Sequence, residues 1–356
     1  MPMKKRIATA VALLCCLLAL LFFWRLGTAA RKPTLQLYIW SEYIDPAILT
    51  AFEKATDSRV VVSVYESNED MIAKLRGGGV SQYDIVVPTD YVVPNMVELG
   101  LLQPLSKDLI PNLSNLGEKF VGLPFDPENT YTAAYQWGTT GIGYRKDRLP
   151  ENFERSWGLI FDPQQQYGPF VMIDEMRSMI AAAALYLGFD INTTVPSELR
   201  QIQQLLIETK RRSAGLIGGV GGKNQLVSGT AHVAIVYSGD ALQATAENPN
   251  IGYFVPREGA HIWLDVMAIP AKAPNPELAN RFINFILDAE VGAQLSNYNR
   301  FATPNAAALP MINPEDRQNP AIYPDEETFA KLGYLKVLSG EELRLIDALW
   351  TTVKSR

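Results

Sequence analysis

Cysteine is almost missing from this chain. Of 356 residues only Cys15 and Cys16 carry a thiol, and both lie within the first thirty. Beyond Ala30, disulfides, thiol catalysis and cysteine–metal sites are therefore excluded. Histidine is as scarce: His232 and His261 are the only two, and neither has HExxH or other metal-site spacing. His232 opens the apolar run HVAIV and reads as a structural residue at a strand end. No G-x-S-x-G elbow occurs. IGGVGGKN resembles a phosphate loop, but its first glycine is misplaced and Asn224 stands where Ser or Thr would hold Mg²⁺. It reads as a flexible glycine-rich turn. Hydrolytic, redox and nucleotide chemistry thus lack their usual residues, and the expectation is no enzyme, no metal and no cofactor.

An excess of positive charge is also lacking. Basic residues number 32 against 38 acidic ones, for a formal charge of −6, which argues against a nucleic-acid partner. With 47% hydrophobic and 10% aromatic residues the composition is globular, and the length suits two domains, each with its own core.

The first thirty residues stand apart. MPMKKR is basic, Ile7 to Trp24 is apolar and uncharged, and Arg25 and GTAA follow. This is the layout of an export signal cut near Ala30. Eighteen apolar residues also just span a bilayer, so a retained N-terminal anchor is the alternative. Lipidation of Cys15 or Cys16 is disfavoured, because the apolar run continues past both. Removing 1–30 takes away Lys4, Lys5, Arg6 and Arg25 and no acid, leaving 28 basic against 38 acidic residues and a charge of −10. The location expected is the periplasm or the outer face of the cytoplasmic membrane.

Strand-like and helix-like segments alternate in what remains. LQLYI, VVVSVY and YDIVV read as strands. Asp45-Pro46 opens a helix carrying Ile48, Leu49 and Phe52, and Asn68 to Leu75 forms another, ended by Gly77-Gly78-Gly79. Downstream, PFVMI and HVAIV read as strands. Ser197 caps a helix, Pro276 opens one, and Ser339 with Glu342 makes a capping box. This order predicts an α/β protein with a largely parallel sheet. No low-complexity linker interrupts it, so two rigid lobes meeting at a cleft are expected.

Five apolar segments carry aromatic or acidic residues at or near their ends. LQLYI runs into Trp40-Ser41-Glu42-Tyr43, YDIVV into Pro88-Thr89-Asp90-Tyr91, and PFVMI into Asp174-Glu175. HVAIV leads to Tyr237-Ser238-Gly239-Asp240, and His261-Ile262 to Trp263-Leu264-Asp265. Ligands of open α/β sheets bind outside the carboxyl ends of strands. Aromatic faces cover methylenes and attract cations at about 0.5–2 kcal/mol per contact, and carboxylates pair with ammonium groups. A flexible diamine or polyamine fits that set, whereas an anion would call for arginine and helix N-termini. Each residue also has a plainer role. Trp40 and Trp263 suit core packing, Tyr43, Tyr91 and Tyr237 suit a lobe surface, and Asp240 suits a helix cap. Asp265, inside IWLDVMAIP, must find a partner if buried.

LYIWSEYIDP, VYESNEDMIAKL, YDIVVPTDYVVPNM, PFDPENTY, YQWGTTGIGY, YSGDA, WLDVMAIP and ATPNAA together resemble the spermidine/putrescine-binding proteins of ABC transporters over nearly the whole mature chain. The resemblance implies a two-lobe periplasmic-binding-protein fold with the ligand cleft between lobes. Lobe one is then 34–139 with 264–309, and lobe two 140–263 with 310–356. It further implies that Trp40, Ser41, Tyr43, Thr89 and Tyr91 face the ligand, that Asp265 holds an ammonium group and that Trp263 stacks on the methylenes. Glu175 and Asp240 supply further acids, beside Tyr237 and Phe301.

Three departures stand out. Ser178 occupies a position where spermidine binders commonly place another acid, Tyr237 replaces a frequent tryptophan, and Phe301 a frequent tyrosine. The implied function is capture of putrescine or spermidine, leaning to putrescine, by a monomer that delivers it to an ABC permease. The alternatives are another organic cation or amino acid derivative as ligand, a hydrolase or lyase using Glu175 and Asp240, and a tethered sensor.

Overall fold

The computed structural model describes residues 32–218 and 220–356. The expected export signal or anchor at 1–30 lies outside the described residues. Among the described residues, no helix is long and apolar enough to cross a membrane.

The chain begins as the sequence predicts. β1 (Thr34–Trp40) leads into the helix Pro46–Thr56, whose Asp45 side chain accepts from the Ala47 amide at 2.8 Å. β2 (Arg59–Tyr65) and β3 (Ile85–Val86) pair with β1 on either side, both parallel to it. Between them lies the helix Asn68–Arg76, which turns Met71 and Leu75 inward and is capped by Ser67. The same pattern recurs later in the chain. β6 (Phe170–Ile173) pairs parallel with β7 (Leu216–Ile217) and β8 (Val233–Tyr237). The helices Met176–Tyr186 and Pro196–Arg212 cover them.

The centre departs from the parallel expectation. β5 (Thr132–Arg145) and β10 (Ala260–Pro270) run antiparallel to each other, and the sheet order is β2-β1-β3-β10-β5-β8-β6-β7. β5 is fourteen residues long because it serves both lobes. Thr132–Thr139 pair with β10, whereas Thr140–Tyr144 pair with β8. β4 (Leu102–Gln103) pairs with the end of β10, and β9 (Ile251–Phe254) adds to the far half of β5. Two long strands thus carry the chain between two hydrophobic cores, one built on Leu37, Ile85 and Met267, the other on Met172, Ile202 and Ile235. A two-lobe α/β fold results.

Two local expectations change. The helix Pro196–Arg212 begins one residue before Ser197, with Val195 at its cap, since the fixed φ of proline suits the first helical position. IGGVGGKN is not wholly a turn, because its last four residues start the helix Gly221–Ser228. The Ser339–Glu342 capping box is present.

Candidate functional site

The ends of β1, β3, β6, β8 and the middle of β10 converge on one cavity between the lobes. β1 ends in Trp40, whose indole N–H donates to the Val87 carbonyl at 2.9 Å and so fixes the ring against the neighbouring strand end. Ser41 follows, its hydroxyl on Glu66 Oε1 at 2.5 Å, and then Tyr43, which is buried. Tyr43 packs edge-on against Phe301, with ring centroids 5.1 Å apart. Trp263 sits between Tyr237 and Phe301, 5.5 Å from each. This aromatic wall depends on two glycines. A Cβ on Gly138 would stand 2.7 Å from the Trp263 indole, and one on Gly239 would stand 2.5 Å from the Phe301 ring.

Asp265 reaches the cavity from the middle of β10. A bulge inserts Tyr135 of β5 opposite the Asp265–Val266 step, and bulges commonly re-aim a side chain in this way. The Asp265 carboxylate is 5% exposed and accepts from the Thr89 hydroxyl at 2.7 Å. Burial pushes its pKa up to about 7, against the Thr89 and Tyr43 hydroxyls, which favour the charged form. Asp240 lies in the first turn of the helix Ser238–Glu247 but does not cap it. Tyr237 holds the cap position, and no side-chain hydrogen bond closes that end. Burial raises Asp240 to about 7 as well, although Lys223 draws it down.

Glu175 plays a double part. It caps the helix Met176–Tyr186, accepting from the Arg177 and Ser178 amides at 3.1 and 2.7 Å. It also accepts from the Tyr91 hydroxyl at 3.3 Å across the cleft. All eleven side chains expected at the site therefore line one cavity.

Five further residues line it that sequence reasoning did not select: Glu66, Asn68, Ser178, Val220 and His261. Asn68 Nδ2 donates to Thr89 Oγ1 at 3.1 Å and to the Tyr91 hydroxyl at 3.0 Å, so one amide positions both hydroxyls that serve the carboxylates. His261 Nδ1 lies 3.0 Å from Ser178 Oγ. Burial and the nearby Arg177 guanidinium push its pKa down to about 3, so the ring is neutral. The Arg177 guanidinium sits 5.1 Å over the Tyr91 ring. The detectable signal for His261 was its place at the head of the strand that carries Trp263 and Asp265.

The arrangement suits an organic cation with an apolar middle. Buried carboxyl groups stand among aromatic faces, and among the described residues Asp240 and Asp265 form no ion pair. The model of the bacterial extracellular solute-binding proteins matches residues 47–324, well over half of the chain. The chain belongs to that family. Its relatives include the putrescine-binding periplasmic protein SpuD of Pseudomonas aeruginosa, 35% identical over 93% of this chain and 94% of that one. The spermidine/putrescine-binding periplasmic protein of Escherichia coli is also 35% identical, over 83% and 84%. Among solved structures, one from Listeria monocytogenes named for a spermidine/putrescine ABC transporter superposes with a TM-score of 0.85. It is 33% identical, over 91% of this chain and 99% of that one.

Proposed function

We propose that this chain captures a polyamine outside the cytoplasmic membrane, a short diamine such as putrescine in preference to a triamine, and hands it to an ABC transporter permease. The observation that carries this reading is the pair Asp240 and Asp265. Both are buried carboxyl groups in one aromatic-walled cavity, and neither has a protein cation hydrogen-bonded to it. A buried charge without a partner is costly, so two such groups call for a ligand with two ammonium groups. Trp40, Tyr43, Tyr237, Trp263 and Phe301 cover its methylenes. Ser41, Thr89 and Tyr91 orient the acids, and Glu175 adds negative potential at the far end.

The lobes, taken as 34–139 with 264–309 and 140–263 with 310–356, hinge on β5 and β10. Closure excludes water and strengthens each acid–ammonium pair, and the permease reads the closed form. Micromolar affinity is about −8 kcal/mol, within reach of two such pairs and several aromatic contacts.

Calorimetric titration with putrescine, spermidine and spermine tests the reading. Putrescine is expected to bind with micromolar or tighter affinity and to lead the series. A clear spermine preference overturns the diamine assignment. Absence of binding by all three overturns the polyamine reading and favours another organic cation.

A further inference from the structure

On the side of Asp240, the cavity reaches the residue just before the helix Gly221–Ser228. Val220 lines it, and Gly218 comes so near that its Cβ would stand 3.6 Å from Glu66 Cβ. The helix Gly221–Ser228 then starts flush on the sheet. A Cβ on Gly221 would meet Ile217 at 2.1 Å, and one on Gly222 would meet Val236 at 2.9 Å. That close seating places Lys223 behind the cavity wall, buried and three residues beyond Val220. The Lys223 side chain is 5% exposed, and its ammonium pairs with Glu42, which follows β1 on the other side of the cleft. Gln243 Oε1 lies 3.4 Å from the same ammonium. Gln243 is three residues beyond Asp240 on one helix, so the two share a face, and the Lys223 charge is near enough to draw the Asp240 pKa down without a hydrogen bond to it.

Glu42 is half exposed and sits at φ 53°, a backbone conformation that non-glycine residues seldom adopt. Glu42, Glu66 and Asp240 thus bring three carboxylates to this end, and Lys223 is the cation that faces them. At the opposite end, Ser178 and the neutral ring of His261 line the cavity beside Glu175.

We propose that Lys223, held by Glu42, is a specificity-determining residue: a built-in ammonium that ends the ligand track beyond Asp240. The cavity then takes a linear diamine and turns away a chain with a third ammonium in that direction. The inference rests on the polyamine reading and adds to it the residue that sets chain length. Without Lys223, the three carboxylates would offer that third ammonium a place.

The test is calorimetry on the full-length protein with putrescine and spermidine at about 0.15 M salt, for the wild type and for K223M, K223R and E42Q. K223M is expected to shift the ratio of the two dissociation constants toward spermidine by about tenfold or more, while K223R, which keeps the charge, retains the wild-type ratio. E42Q alters a half-exposed residue and should fold normally. It releases the Lys223 ammonium toward Asp240 and is expected to weaken putrescine about tenfold. A ratio within threefold of wild type in K223M overturns the proposal and leaves the polyamine reading standing, as does a K223R ratio that follows K223M. If K223M does not fold, unchanged putrescine affinity in E42Q overturns it instead. If wild type binds neither ligand, the polyamine reading itself is lost and the proposal falls with it.

Discussion

The Thr89 hydroxyl donates to Asp265 Oδ1 at 2.7 Å, and its oxygen accepts from Asn68 Nδ2 at 3.1 Å. Thr89 therefore has one hydrogen to give and gives it to the carboxylate, which lowers the cost of keeping Asp265 charged beneath the aromatic wall. The remaining capacity of that carboxylate is free for a ligand. Asp265→Ala is expected to weaken putrescine binding by about 2–5 kcal/mol, the usual loss when one partner of a desolvated charge pair is removed. Calorimetry checks this, and unchanged affinity would remove Asp265 from the site.

Asn68 is expected to act through its neighbours. Its amide supports Thr89 and Tyr91 together, and Tyr91 in turn donates to Glu175. Asn68→Ala should cost about 1–3 kcal/mol in stability through the buried groups left unpaired. Affinity should fall as the two hydroxyls lose their orientation. A double-mutant cycle with Thr89→Val separates the effects, because residues in one network do not add. Strict additivity in binding would show that Asn68 does not act through Thr89.

The buried acids in and beside the site give a pH signature with a definite sign. Burial raises Asp240 and Asp265 to about 7 and Asp90 to about 8, from ordinary values near 4. Neighbouring charges modulate this: Lys223, Glu42 and Glu66 act on Asp240, Glu175 on Asp265, and Asp265 and Arg177 on Asp90. Between about pH 4 and pH 8 the folded protein retains protons that the unfolded chain has released, so stability falls as pH rises. His261, pushed down to about 3, works the other way below about pH 6.5, but it is one group against three. Ligand-free protein should therefore melt at a lower temperature at about pH 8 than at about pH 5. A diammonium ligand favours the charged carboxylates, so binding should release protons near pH 6.5 and weaken on acidification. Titrations in buffers of different ionisation enthalpy measure that release, and proton uptake would contradict it.

Much of the site was legible because strand ends announce themselves. Trp40, Thr89, Glu175, Tyr237 and Asp265 each lie in or beside an apolar run that alternation or β-branching marks as a strand. Asn68 was not legible, because an Asn at the head of a helix looks like an ordinary helix start. Only the fold brings it beside Thr89, twenty-one residues away. His261 has no metal-site spacing to mark it, and its partner Ser178 lies eighty-three residues off. The antiparallel centre was also missed. YQWGTTGIGY is rich in glycine and threonine, and nothing in it says that a single strand pairs with β10 at one end and β8 at the other. Lys223 stayed hidden for a related reason. Glycines that look flexible in sequence here allow a helix to seat closely on the sheet.

Ser178 offers the reverse of the Lys223 test. Its hydroxyl lies 3.0 Å from His261 Nδ1, and its amide donates to Glu175 at 2.7 Å. Ser178→Asp puts a second carboxylate at the Glu175 end while keeping the backbone bond that fixes Glu175. The new charge should favour the protonated ring, so the pKa of His261 should climb from about 3, and proton NMR can follow it. At low pH a charged His261 cancels the new acid and the ligand preference stays as in wild type. Above neutral pH the ring is neutral and the acid is unpaired. Spermidine should then gain about tenfold on putrescine, roughly 1.4 kcal/mol. A ratio that does not move at high pH, with the His261 shift present, would mean that this end of the cavity does not meet an ammonium group.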